Sequence, residues 1–153
     1  MKYIIALTAI ILASCSSIQF RSEDEVLIAE SVLKSLYGGN ASAEQANKVG
    51  ASLCVDGKDP PPEFLLRFKG LHPTALPCSA SQYNEKLGEL VRRGTVNPMI
   101  SFSVSEIKIV SPTSATATGG YYEASLSSAG YSFKLTKVDG KWVVQERSMS
   151  WIS

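Results

Sequence analysis

Residues 131–144 read Tyr131-Ser132-Phe133-Lys134-Leu135-Thr136-Lys137-Val138-Asp139-Gly140-Lys141-Trp142-Val143-Val144, and this stretch decides the fold. Tyr131, Phe133 and Leu135 alternate with polar residues, which is the period of a half-buried strand. Asp139-Gly140 is a two-residue hairpin signal, because a tight hairpin turn of the mirror-image type needs positive φ at both central positions. A further strand then runs from Lys141 to Ser150, with Trp142, Val144 and Glu146 on one face and Val143 on the other.

The same period extends upstream. From Met99, the apolar residues Ile100, Phe102 and Val104 alternate with serines. The phase then slips by one, and Ile107 and Ile109 continue the apolar face. Such a slip predicts a β-bulge at Glu106, with its side chain turned outward. Thr113 to Ala124 forms another strand, and Gly119-Gly120 gives it a place to bend. Ser127-Ser128-Ala129-Gly130 reads as a turn. Together these segments predict a bent antiparallel meander of four strands, or slightly more.

The N-terminal half has helical periods. Val26, Leu27, Ala29, Val32, Leu33 and Leu36 line one face of a helix over Glu23 to Tyr37. Ser22 caps its start with Glu25 three residues on, and Gly38-Gly39 ends it. Ser42 and Gln45 repeat the capping pattern before an expected second helix, Ala43 to Leu53. Pro60-Pro61-Pro62 precedes a short helix from about Pro62 to Lys69. Ser81 to Val91 admits a helix, or a first strand starting near Leu90. Helices ahead of an antiparallel sheet make an α+β domain.

The chain starts MKYIIALTAIILASC. Its apolar run from Tyr3 to Ala13 is too short for a permanent membrane helix but matches a signal-peptide core. Leu12-Ala13-Ser14-Cys15 resembles the bacterial lipobox, in which small residues admit the peptide to the signal peptidase. That resemblance implies that the Cys15 thiol takes up a diacylglyceryl group and that acyl chains hold the protein on a membrane. Residues 1–14 are then a lipoprotein signal peptide, 15–22 a lipidated polar tether, and 23–153 one domain. Ser16 is not the aspartate of inner-membrane retention, so the resemblance implies the periplasmic face, on the outer rather than the inner membrane.

Cleavage before Cys15 removes 14 of the 153 residues and one of 15 basic side chains, Lys2, leaving 14 basic against 14 acidic. A neutral body gives no electrostatic case for nucleic acid. Cys54 and Cys78 remain, and in an oxidising compartment an even pair reads as one disulfide, against the alternative of two buried thiols. They bracket a segment rich in proline and glycine that needs a staple. The single histidine, His72, excludes multi-histidine metal sites. No metal spacing, nucleophile motif or phosphate-cradling loop is present, and no cofactor is expected.

The closing stretch, Tyr131 to Leu135, Val138 to Val144 and Trp151-Ile152, resembles the last hairpin of the NTF2-like (SnoaL-type, cystatin-like) superfamily. That resemblance implies a cone of sheet around a helix with a pocket at its wide end. Its members include isomerases, cyclases and non-enzymatic binding modules, so fold alone does not give function. Enzymes of this type would use a pocket acid, here Glu123 or Glu106. The other strand positions expected inside are apolar, which favours a non-catalytic binding or assembly role. Tyr121, Tyr122, Trp142 and Trp151 are then the candidate binding residues for an envelope protein or a small apolar ligand. An oligomeric structural lipoprotein using exposed Tyr and Trp is the remaining alternative.

Overall fold

The computed structural model describes residues 18–39 and 45–153. The first helix starts where expected and runs through the two glycines expected to end it: α1 spans Glu23–Gly39 and buries Ile28, Ala29, Val32, Leu33, Leu36 and Tyr37. Ser22 Oγ accepts from the Glu25 amide at 3.2 Å, satisfying one of the free N–H groups of the first turn. The Glu25 carboxylate reaches back one residue beyond the expected partner, to the Arg21 amide at 2.8 Å.

The second expected helix is corrected. Its described part is a 3₁₀ turn, Gln45–Asn47, followed by strand β1, Gly50–Val55. All six residues of β1 are buried. A parallel strand covered on both faces is continuously apolar, so it carries no alternation to betray it. A short α2, Pro62–Leu65, runs into a 3₁₀ turn, Leu66–Phe68, as the prolines implied. Strand β2 is Ala75–Pro77. The segment that admitted a helix is a hairpin of β3, Ser81–Asn84, and β4, Glu89–Arg92.

The meander is present as β5, Met99–Ser111, β6, Ser114–Ala124, β7, Ser127–Val138, and β8, Lys141–Ile152. The expected turn at Ser127 is shifted upstream, since β7 already starts there. Asp139 and Gly140 both have positive φ, 49° and 77°, as the mirror-image turn requires. The phase slip is a bulge: the β5–β6 register shifts between Ser105 and Lys108, and Glu106 has φ 52°. The expected four-stranded sheet is therefore half of a larger one. β1 runs parallel to both β2 and β5, and β3–β4 joins the end of β6 through Glu89 and Ala124. The product is a curled, mixed, eight-stranded sheet, a cone-like half-barrel around α1.

The core lies between α1 and the hollow of the sheet. Tyr37 packs its ring 4.6 Å from Phe102, and Phe64 and Phe68 close one side with ring centroids 5.4 Å apart. Gly119 lets the helix approach. A Cβ there would meet the Ser103 carbonyl oxygen at 2.6 Å, with Val32 and Phe133 at 3.3 Å. Residues 15–17 of the expected polar tether lie outside the described residues, and two of its later residues pack on the fold. The Ile18 amide donates to the Asp59 carbonyl at 2.9 Å, and Phe20 packs 5.2 Å from Phe64.

Cys54 and Cys78 form a disulfide that ties β1 to the 3₁₀ turn Cys78–Ala80. The bridge spans a sequence separation of 24 residues. Reduction should lower the unfolding free energy by about 3 kcal/mol in the chain-entropy account. Urea denaturation with and without reductant measures this, and thiol titration of the unreduced, denatured chain should find neither cysteine free.

Candidate functional site

The aromatic residues singled out in the sequence fall into two places. Trp142 belongs to the first. It is buried at the start of β8, and its indole Nε1 donates to Asp24 of α1 at 2.8 Å. Lys137 of β7 reaches the same carboxylate at 2.6 Å. The bonds from Lys137 and Trp142, in that order, hold the Asp24 carboxyl below its usual range. Beside this clasp is a groove of about 470 Å³ lined by Leu27, Lys34, Arg67, Lys141 and Trp142. Glu30 bridges its rim, pairing with Lys34 at 2.6 Å and Arg67 at 2.8 Å. Burial alone would raise the Glu30 carboxyl, but these two cations more than offset it and its affinity for protons falls. The groove's charges are thus largely engaged with each other.

Tyr122 and Trp151 meet at the second place, whose lining also includes Tyr121. Here β6, β7 and β8 present the outer face of the curled sheet in a groove of about 320 Å³. Its floor is glycine: Gly120 pairs with Gly130, and Gly130 with Trp151. A Cβ on Gly130 would collide with the Trp151 ring, so the indole sits where glycine alone leaves room. Trp151 remains 54% exposed. Tyr122 forms another wall and meets Tyr83 edge-on at 6.3 Å. The hydroxyls of Ser105 and Thr118, 2.9 Å apart, and of Ser150 complete the lining.

Successive strand residues point to opposite faces, and Tyr121 accordingly turns inward. Its ring packs against the core. Burial raises its phenol pKa, and the neighbouring Tyr131 and Glu123 raise it further, against Arg147. The Arg147 guanidinium stacks 3.8 Å above the Tyr131 ring and donates to the Ser35 carbonyl of α1. Tyr122 is also raised by burial, then by Tyr83.

The two acids considered for catalysis lie apart. Glu106 is exposed at the bulge, as expected. Glu123 is buried and accepts from Ser127 Oγ at 2.9 Å. Neither lines either groove. His72 is on an exposed loop with Nε2 3.0 Å from the Ala46 carbonyl oxygen. Arg93 folds back onto the carbonyls of Ser79 and Ser81. Among the described residues no three His, Cys, Asp or Glu side chains are grouped to hold a metal. Cys15 lies outside the described residues.

No family model, curated protein or solved structure matches this chain in the comparisons with known proteins.

Sequence periodicity had marked the four aromatic residues but could not say which would share a surface. That depended on register: Gly130 opposite Trp151 is a pairing across two strands and two bulges.

The Asp24 clasp gives a pH signature. A carboxyl whose folded pKa is depressed contributes stability above its unfolded value, near 3.8, and loses it as pH falls through the folded value. Asp24→Asn should therefore lower the urea midpoint at pH 7. The gap from wild type should close as the pH is taken below about 4.

Proposed function

We propose that the chain is a lipid-anchored protein of the bacterial envelope that binds a partner through the Tyr122–Trp151 groove without catalysing a reaction. The observation that carries the binding role is the chemistry of that groove. It offers two aromatic walls, three hydroxyls and a glycine floor, and its lining contains no acid, base or thiol. Aromatic side chains with a polar edge give large contact area at low entropic cost, which suits recognition. General acid–base catalysis would need a titratable group within hydrogen-bond reach of the ligand, and the groove offers none besides tyrosine.

Two features support the envelope reading. The Leu12-Ala13-Ser14-Cys15 leader resembles a lipobox, and the disulfide suits an oxidising, extracytoplasmic compartment. The NTF2-like cone is the finer reading of the fold. A curled sheet closed around one long helix, with the Asp139-Gly140 hairpin last, supports it. The parallel β1–β2 pair and the disulfide-bonded segment are what this chain would add.

The anchor is tested by Cys15→Ala, which should move the protein from carbonate-washed membranes to the soluble fraction. Retention of the mutant in washed membranes would contradict the lipobox. The groove is tested by a photo-cross-linking residue at position 122 in intact envelopes. A discrete adduct should form and should disappear in Trp151→Ala, whose purified body should keep the wild-type urea midpoint.

A further inference from the structure

Two groups of exposed large apolar side chains lie toward the two ends of α1. Toward its C-terminal end are Leu126, Met149, Trp151 and Ile152, of which Trp151 lines the groove already described. At its N-terminal end are Ile109, Val110 and Val138, on the tips of the β5–β6 and β7–β8 hairpins. Val110 is 69% exposed. The tips are joined, since the Lys137 amide donates to the Thr113 carbonyl at 2.9 Å. They are held at the start of α1 by the bonds of Lys137 and Trp142 to Asp24. Lys108 and Lys141 flank the tips, and the exposed Asp139 stands beside Lys141 in the β7–β8 turn.

The docked tether selects between these ends. Ile18 and Phe20 pack against the fold beside Asp59 and Phe64, just ahead of α1. Pocket walls formed by Ile18, Phe20, Val55 and Ile107 place this segment next to β5, whose tip continues beyond Ile107 to Val110. Cys15 is three residues before Ile18, so the chain between them reaches at most about 10 Å. An acyl group on Cys15 cannot swing to the far end of a 17-residue helix, which is about 25 Å long.

We infer that the body sits on the membrane in one orientation, with the Ile109–Val110 and Val138 hairpin tips in the lipid interface and the Tyr122–Trp151 groove facing away. This rests on the lipid anchor proposed above. Apolar tips flanked by lysine suit the boundary between acyl chains and headgroups, where lysine stems lie along apolar surface and their charges remain in water. The acyl chains supply the affinity and the tips supply the orientation. The aromatic groove is then held roughly 25 Å out from the bilayer, the length of α1, where a partner can reach it.

A nitroxide at Val110→Cys tests this in the acylated, full-length protein. In that chain Cys15 is consumed by lipid and Cys54–Cys78 by the disulfide, so the new thiol is the one to label. In vesicles of phosphatidylethanolamine and phosphatidylglycerol, the ratio of oxygen to nickel-chelate collisions at 110 should rise severalfold over the soluble Cys15→Ala body. A label at Leu126→Cys, at the other end, should show no change. An unchanged ratio at 110, or an equal rise at 126, overturns the orientation while leaving the anchor standing. Intact mass keeps the two apart: absence of the acyl group overturns the anchor and this inference together.

Discussion

The closeness of α1 to the sheet at Gly119 is the constraint from which the rest follows. Val32 of the helix and Phe133 of β7 close over a residue with no side chain, and the Ser103 carbonyl oxygen lies 2.6 Å from where a Cβ would stand. With a side chain there, β5 and β6 could not curl so tightly. Curling brings Tyr37 to Phe102 and lays the helix lengthwise in the hollow. The helix axis then gives the molecule two ends. One carries Ile18, Phe20 and the hairpin tips, and the other carries the aromatic groove. Gly130 serves the outer face in the same way, admitting the Trp151 indole, while a Cβ on Gly120 would meet the Ala129 carbonyl oxygen of the neighbouring strand.

Two cross-links hold the parts that curling alone would leave loose. The disulfide pins the proline-rich segment to β1, so that Phe64 and Phe68 close the side of the core. The Asp24 clasp ties the start of α1 to the last hairpin through one carboxylate with two donors. Each joins residues distant in sequence. Both therefore act on long-range loops, where ordering the chain costs most conformational entropy.

Much of this was legible in the residues. The alternation from Ile100 to Val104, its slip at Glu106, the Asp139-Gly140 turn and the helix after Ser22 all appear where the periods placed them. These are local signals, written in side-chain order. The failures were non-local. Gly50–Val55 looked helical because a strand buried on both faces has no alternation. Ile18 and Phe20 read as a tether because two apolar residues carry no period, yet Phe64 and Asp59 receive them. The candidate site was legible as residue types only. Trp142 and Trp151 are alike in sequence, but one is clasped inside by Asp24 and the other lies exposed on Gly130.

If the helix seat at Gly119 governs the curl, the smallest possible side chain there should be felt. The direct measurement is the urea unfolding free energy of Gly119→Ala, with Gly38→Ala as a control where a Cβ would meet no atom within 4 Å. A methyl group forced against a backbone carbonyl should cost about 1–3 kcal/mol. The Gly38 change should be neutral or slightly stabilising, since alanine favours the helix over glycine. A Gly119→Ala protein as stable as wild type would contradict the account, because α1 would then not depend on bare backbone for its place in the sheet.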